Sequence, residues 1–507
     1  MLLVFLSVIL GILAFPPFGL YPLGLIFLVP FFIFLIREKK LFKLLWGTFI
    51  FKFLLSLGVA FFVFEPLIFF FSILVFLVLP TVIYILKRIL TSSSVISHWS
   101  LVVSLPFLWT FFDHLQARYS LLPTYLITAG NIFGSSPFLG LAGIGGLTLM
   151  TFFAALVNGL FTLATLQFLE RRTFRNYAIL GSPTFLLLIL IIFSGWLISQ
   201  IQLQKNEILY QKLPAKVNIA LLSNNERFDQ EFDIFKNDTF SHEEKIRAEI
   251  IINNLLEPIK TELAAQQTDL LILPEDMIDI ESWKDIDEEA KSKFGIENAG
   301  ILIKAYRRLA EELNTNLAAT LTTIQNNKRY NSTILFSRRG ELTDIYNKSN
   351  LTILGEYWPF GNWRPFYYNL IQKMAPEKIG QGGAVFNKEY AYQSGQEKIL
   401  QTENLIFGSA ICSEIQYPWQ IKNFKKMGAE FISHIATNRW LVLGSKNFRE
   451  LTNNLRKIES VWLKMPILIN GRQEMAGIIT PNGQMDLVNF ENEDKNFGIF
   501  TGEIRTN

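Results

Sequence analysis

The chain has 507 residues, more than one ordinary domain contains, and its charge is distributed unevenly. Of its 47 Lys and Arg and 44 Asp and Glu residues, 15 (11 basic and 4 acidic) lie in residues 1–200, so that part is compatible with hydrocarbon while the remainder has the composition of a water-soluble domain. The net charge of +3 and the lack of a clustered basic arm argue against nucleic-acid binding, and a single cysteine cannot form an internal disulfide.

Seven apolar segments in the first 200 residues are predicted to cross a membrane, since roughly 20 apolar residues span its hydrocarbon core. The first two are short and share a turn that contains Pro and Gly, which predicts one tight hairpin. A cleaved signal peptide is the alternative for the first segment, but a basic start and a small-residue cleavage site are lacking. The predicted spans are approximately 1–15, 23–36, 44–64, 66–86, 98–116, 139–168 and 176–199.

Basic residues in three loops predict the orientation of these spans. They lie at 37–43, 87–88 and 171–175, on one side if the spans alternate. Short loops rich in Lys and Arg face the cytoplasm. Seven spans then place the N-terminus inside and everything after about residue 200 on the extracytoplasmic face.

From Lys216 onward, short apolar strands alternate with amphipathic helices, a pattern that predicts a layered α/β domain with sheets covered by helices. Ser241 and Glu244 form a capping box that opens a long helix towards Gln266. Further helices are predicted at 299–314, from Pro418 and at 447–463. Strands are predicted at 216–223, 269–276, 316–322, 329–337, 405–412 and 430–437, and in a tail that turns at 481–483.

Three residues at predicted strand ends form a possible catalytic set: Glu275, Lys348 and Cys412. A carboxylate with a raised pKa can take the proton from a thiol, which then becomes a strong nucleophile. A nearby ammonium can stabilise the oxyanion of a tetrahedral intermediate. These groups suffice for acyl transfer through a thioester, although a lone cysteine in an apolar strand is more often an inert core residue.

The motifs around these residues, LPED, YNKSNLTILGEYWPF and ICSE, resemble the carbon–nitrogen hydrolase (nitrilase) superfamily and its Glu-Lys-Cys triad. A multi-span first half fused to such a domain resembles the apolipoprotein N-acyltransferase branch. The resemblance implies an α-helical membrane domain over 1–200 and a nitrilase-like αββα sandwich over 213–507. It further implies that Glu275 is the general base, Lys348 the oxyanion stabiliser and Cys412 the nucleophile, with Glu356 and Glu414 in support.

The activity implied by the resemblance is transfer of a fatty acyl group from a membrane phospholipid, through a Cys412 thioester, to the N-terminal amine of a diacylglyceryl-cysteine apolipoprotein. It implies a bacterial inner-membrane enzyme with its catalytic domain on the periplasmic side. No cofactor or metal is expected, because the four histidines lack ligand spacing. The alternatives are a membrane-tethered amidase that uses water, a non-catalytic lipoprotein-binding homologue and, more remotely, a Cys-His protease that uses His434.

Several positions depart from the pattern of that family. Where the family usually reads His-Leu-Val-Pro-Phe-Gly-Glu after the lysine, this chain has Asn350 to Glu356, with Thr352 in place of Val. Ser413 follows the cysteine where Tyr is common. The stretch that usually reads Ser-Asn-Asp-Ala-Trp is 436–440, Ala-Thr-Asn-Arg-Trp. The family's further span after the soluble domain is not expected here, since no apolar run near 20 residues follows.

Overall fold

The chain divides into two compact units in a computed structural model. Unit 1 comprises Met1–Tyr210, Leu441–Lys464 and Thr480–Gln484, and unit 2 comprises Gln211–Trp440, Met465–Ile479 and Met485–Asn507. The predicted domains, 1–200 and 213–507, are contiguous, whereas two short segments late in the chain pack with the first unit. The structure describes residues 1–61, 66–90, 96–119, 125–170, 183–224, 242–275, 277, 285–353, 355–366, 391–437, 445–472, 474–488 and 497–507.

Helices and strands follow the predicted alternation along the chain. The helices are α1 (Leu2–Ala14), α2 (Tyr21–Gly24), α3 (Val29–Arg37), α4 (Leu41–Val59), α5 (Pro66–Phe76), α6 (Val78–Leu90), α7 (Ile96–Tyr119), α8 (Ala142–Glu170), α9 (Pro183–Gln211), α10 (His242–Leu263), α11 (Glu288–Phe294), α12 (Gly300–Leu313), α13 (Pro418–Lys426) and α14 (Ser445–Leu463). The strands are β1 (Ala215–Asn224), β2 (Leu270–Glu275), β3 (Asn316–Gln325), β4 (Lys328–Phe336), β5 (Leu342–Asn347), β6 (Leu400–Gln401), β7 (Ile406–Ile411), β8 (Phe431–Thr437), β9 (Ile467–Arg472), β10 (Ala476–Ile479), β11 (Met485–Val488) and β12 (Phe497–Thr506).

Four stretches of unit 1 are long and apolar enough to cross a membrane: Leu41–Val59, Phe70–Ile89, Leu139–Leu169 and Pro183–Gln211. They correspond to the third, fourth, sixth and seventh predicted spans. The first two predicted spans are shorter apolar helices, and the fifth is α7, which carries the polar Asp113 and His114. Seven spans and the orientation drawn from them stay predictions. The loop residues 171–175, like Ser241 of the capping box, lie outside the described residues.

Helix α14 packs within unit 1 through side-chain amides. Asn447 Nδ2 donates to the carbonyl of Val59, the last residue of α4, at 2.8 Å, and Asn454 Nδ2 donates to Asn131 O at 3.1 Å. Asn131 Nδ2 donates in return to Leu451 O at 3.2 Å. Because backbone carbonyls at helix ends and in irregular segments lack intrahelical partners, the amides of Asn447 and Asn454 satisfy carbonyl groups that burial would otherwise leave unpaired.

Unit 2 is built on strands in the order β5-β4-β3-β2-β1-β9-β8-β7-β6. Thr333 Oγ1 in β4 lies 2.8 Å from Ser409 Oγ in β7, and Asn470 Nδ2 in β9 donates to Ile272 O in β2 at 3.0 Å. Since neither pair of strands is adjacent in the sheet, its two halves face each other as a sandwich. Helices α10 and α12 cover one half with apolar side chains, and Phe424 of α13 packs close to Gly408 of β7. The predicted nitrilase-like α/β sandwich is confirmed.

Gly471 in β9 gives a test of this packing. A Cβ at this position would lie 1.8 Å from the Ala436 carbonyl oxygen in β8, so the backbone would have to move. We expect Gly471→Ala to lower the free energy of unfolding by about 3 kcal/mol, at the upper end of overpacking costs. The control is Gly355→Ala, where the added Cβ meets open space. If both variants melt at the wild-type temperature in thermal unfolding assays, the close β8–β9 approach is wrong.

Candidate active site

Cys412 lies at a sharp turn directly after β7, where a short 3-10 turn (Cys412–Gln416) begins. Its φ of +51° is in the left-handed region, which non-glycine residues adopt at a cost and which needs support from neighbours. His434 Nε2 supplies part of it, lying 2.9 Å from the Cys412 carbonyl oxygen, to which it must donate. This contact is to the main chain of Cys412, so it offers no support for a Cys-His pair. The thiol residue is partly exposed.

Glu414 ties this turn to the loop after β5. Its Oε2 accepts the Ile411 backbone N–H at 3.0 Å, and its Oε1 accepts the Ser349 backbone N–H at 2.8 Å. The Tyr346 hydroxyl (2.6 Å) and Gln420 Nε2 (2.8 Å) also donate to Oε1. A fully buried carboxylate with this many donors is well satisfied, and it fixes the segment that carries Lys348 relative to the turn at Cys412.

Glu275 ends β2 and is buried beside a second carboxylate. Its Oε2 accepts the Thr437 backbone N–H at 2.8 Å, and its Oε1 accepts Asn331 Nδ2 at 2.9 Å. The same Asn331 nitrogen donates to Glu356 Oε1 at 3.0 Å. Hydrogen bonding from the same Thr437 N–H lowers the pKa of the Cys412 thiol, so Glu275 and Cys412 share one backbone donor.

Lys348 is almost fully buried, and its ammonium has fixed partners. Nζ lies 2.8 Å from Glu356 Oε2 and donates to Thr352 Oγ1 at 3.1 Å. Its backbone N–H donates to Asn331 O at 2.8 Å. The structure thus brings together Glu275, Lys348, Glu356 and the turn at Cys412, while Glu414 supports that turn from the other side.

The electrostatics of these groups are coupled. Burial raises the pKa of the Cys412 thiol, as does the charge of Glu275, while Lys348 lowers it; the net pKa is well above its usual range. Burial also raises the pKa of Glu275 to about 7, against the lowering effects of Lys348 and the Asn331 hydrogen bond. Burial lowers the pKa of Lys348, but the charges of Glu356, Cys412 and Glu275 outweigh it and raise the pKa above its usual range.

This arrangement can remove a proton from the thiol and stabilise an oxyanion beside it. The thiol is neutral at rest, and a base with a pKa near 7 can accept its proton at neutral pH. Lys348 keeps its positive charge throughout. Within the described part of the chain, His, Cys, Asp and Glu side chains form no group of three that could hold a metal ion, and we assign no residue to one.

Four supporting residues escaped the sequence analysis: Asn331, Thr352, Ser413 and Thr437. The signal for Asn331 was a polar residue within the apolar strand RYNSTILFS, which a buried hydrogen bond explains. Thr352 and Ser413 depart from the family pattern, and that pattern indicates no role for either. Thr437 acts through its backbone, which no side-chain pattern reports. Positions 438–440 of the same stretch lie outside the described residues.

Two family models match separate parts of the chain. The one described as Carbon-nitrogen hydrolase matches residues 242–454, and the one described as Apolipoprotein N-acyltransferase N-terminal domain matches residues 7–160. The chain thus combines a carbon–nitrogen hydrolase domain with a segment similar to the N-terminal domain of apolipoprotein N-acyltransferases. Glu275, Lys348 and Cys412 all lie within the hydrolase match.

The sequence relatives and solved structures that resemble this chain share low sequence identity with it. An apolipoprotein N-acyltransferase from Aquifex aeolicus is 25% identical over 162 residues, 31% of each chain. Apolipoprotein N-acyltransferase 2 from Treponema denticola is 23% identical over 191 residues, 37% of this chain and 35% of that one. The matches thus span about a third of each relative. Nit3 of Saccharomyces cerevisiae, a nitrilase-superfamily member, aligns with 58% of this chain and 91% of its own, at 14% identity and a TM-score of 0.37.

The raised pKa of Glu275 predicts the pH dependence of thiol reactivity. The carboxylate accepts a proton once it is itself deprotonated, so the rate of Cys412 alkylation by iodoacetamide should rise as the pH passes through about 7. Glu275→Gln should abolish this rise of the alkylation rate with pH, whereas Glu288→Gln, at an exposed position in α11, should retain it. Mass spectrometry follows the alkylation, and because the chain has one cysteine every adduct reports on Cys412. The same pH step in Glu275→Gln would contradict this assignment.

The hydrogen bond from the Asn331 amide predicts the pH at which the alkylation rate rises. Its hydrogen bond stabilises the charged form of Glu275 and so lowers the pKa of that carboxyl. Asn331→Leu should therefore raise this pKa and move the rise in alkylation rate to higher pH, by about one pH unit. An unchanged profile in a variant that melts at the wild-type temperature would show that the amide does not tune the base.

Proposed function

We propose that this membrane protein is an N-acyltransferase that moves a fatty acyl group from a membrane phospholipid, through a Cys412 thioester, to the N-terminal amine of a diacylglyceryl-cysteine apolipoprotein. The observation that carries the proposal is a buried base and a buried ammonium close to Cys412, a partly exposed residue at a sharp turn. The domain of apolar helices that precedes this site in the sequence supports an acyl donor that is a membrane lipid.

In the first half-reaction, Glu275 takes the thiol proton and Cys412 Sγ attacks the ester carbonyl carbon of the phospholipid. The carbonyl π electrons move to its oxygen, and the Lys348 ammonium stabilises that negative charge. Collapse of the intermediate breaks the ester C–O bond. The lysophospholipid oxygen receives the proton held by Glu275, and an acyl thioester stays on Cys412.

In the second half-reaction, the α-amine of the lipid-modified cysteine attacks the thioester carbonyl. Glu275 accepts a proton from the amine nitrogen, Lys348 again stabilises the oxyanion, and the C–S bond breaks. The Cys412 sulfur recovers its proton from Glu275, which leaves an amide product and the starting enzyme. Both substrates are lipid-anchored, so a site at an extracytoplasmic membrane surface, the periplasmic face of a bacterial inner membrane, suits them.

The roles of the two supporting glutamates follow from their contacts. Glu356 binds the Lys348 ammonium and offsets its buried charge. Glu414 binds the backbone of both the Cys412 turn and the loop after β5. We assign both a positioning role, because the carboxylate of Glu356 is paired with the ammonium and that of Glu414 with backbone donors.

Incubation of the full-length membrane protein with phospholipid carrying a labelled acyl chain tests the proposal. We expect a mass increase of one acyl group at Cys412, with release of lysophospholipid. Cys412→Ala should abolish the adduct, and Glu275→Gln should slow its formation by about 10²- to 10⁴-fold, the usual contribution of a general base. Ser409→Ala, which also removes one buried side-chain group from β7, is the control for folding.

A diacylglyceryl-cysteine peptide added to the labelled enzyme should discharge the thioester and gain the acyl group as an amide. Free fatty acid with no acylated peptide would favour the water-using amidase instead. An unreactive Cys412 in a folded protein would favour a lipoprotein-binding homologue without turnover.

A further inference from the structure

A hydroxyl chain links the buried ammonium to the residue after the nucleophile. Lys348 Nζ donates to Thr352 Oγ1 at 3.1 Å, and Thr352 Oγ1 lies 2.8 Å from Ser413 Oγ. Ser413 directly follows Cys412 in the 3-10 turn and is 5% exposed. These distances place Ser413 Oγ no more than about 6 Å from the charge of Lys348.

The chemistry of the ammonium fixes the direction of the first hydrogen bond in this chain. An ammonium donates hydrogen bonds and accepts none, so Thr352 Oγ1 is the acceptor of the Lys348 bond. Either hydroxyl can donate in the second contact; when Thr352 donates its single proton to Ser413 Oγ, the Ser413 proton is free for another acceptor. Within the described part of the chain the structure gives that proton no acceptor other than Thr352 Oγ1.

Polarisation strengthens this remaining donor. A hydroxyl that accepts from a charged donor is a better donor itself, and the effect passes along a chain of hydrogen bonds in a buried site. Thr352 also contacts the counter-ion of that ammonium, since Glu356 Oε2 accepts the Thr352 backbone N–H at 2.6 Å. Thr352 thus positions both the charge and the second hydroxyl.

We propose that Ser413 Oγ donates a hydrogen bond to the oxyanion formed at the acyl carbonyl on Cys412, as a second donor beside Lys348, and that Thr352 is the positioning residue that orients both. The inference rests on the proposed acyl transfer and adds a catalytic residue to it. Ser413 transfers no proton in this step; its O–H bond stays intact while the carbonyl oxygen gains and then loses its negative charge.

Two reactions of the same thiol separate this role from a general effect on the site. Acylation by labelled phospholipid passes through an oxyanion, whereas alkylation by iodoacetamide displaces iodide and forms none. We expect Ser413→Ala and Thr352→Val to slow acylation of Cys412 about tenfold or more, in line with loss of an oxyanion donor. Alkylation should change less than twofold. Thr352→Ser, which keeps the hydroxyl, should acylate at nearly the wild-type rate.

The double variant tests whether the hydroxyls act as one chain. Ser413→Ala combined with Thr352→Val should be no slower than the slower single variant, because the effects of groups acting in series do not add. Thr343→Val, at an exposed position in β5, is the matched control and should retain both rates. If Thr352→Val fails to fold, Ser413→Ala, which removes one oxygen atom, decides the question.

Equal losses in acylation and alkylation, or no loss in either, would overturn the role of the pair. Failure of the proposed function has a different signature, since the wild-type protein would then form no acyl adduct at all. Slowed acylation with normal alkylation in Ser413→Ala supports the inference.

Discussion

The buried positive charge of Lys348 is the constraint around which the site is built. An ammonium removed from water costs several kcal/mol unless it is paired and hydrogen-bonded. Glu356 provides the counter-charge, Thr352 a neutral acceptor, and β4 anchors the lysine backbone through the carbonyl of Asn331. Because these partners come from β4 and from the loop after β5, the charge cannot be placed before the sheet has formed.

Two neighbouring carboxylates differ in their electrostatics because their partners differ. Glu356 contacts the ammonium directly, whereas Glu275 shares a backbone donor with the thiol and has a pKa raised to about 7. The Asn331 amide donates a hydrogen bond to each of them, so a change in the charge of one carboxylate affects the other. Paired carboxyl groups in different surroundings commonly divide the work of base and electrostatic support in this way.

The sequence was sufficient to indicate the groups to which we assign the chemistry and most of the strands around them. Glu275 and Cys412 end apolar strands, and the motifs around them and Lys348 resemble one family, so order along the chain revealed them. Thr352 and Ser413 are 61 positions apart and meet through tertiary structure. Two departures from the family pattern proved to be one contact, which spacing alone does not indicate. The amphipathic pattern of helix α14 equally fits a helix that covers a sheet, so the sequence predicts it within the α/β domain, whereas the structure packs it in unit 1.

The position of α14 sets an order of events during synthesis. Its amides satisfy groups near residues 59 and 131, yet about 235 residues separate the end of the first segment of unit 1 from the start of this helix. At elongation rates of roughly 5–20 residues per second, that interval is of the order of 10 to 50 seconds. The apolar helices must therefore remain in the bilayer without the hydrogen-bond donors that α14 supplies until most of the α/β domain has been synthesised. Insertion into the membrane and completion of unit 1 are separate events in time.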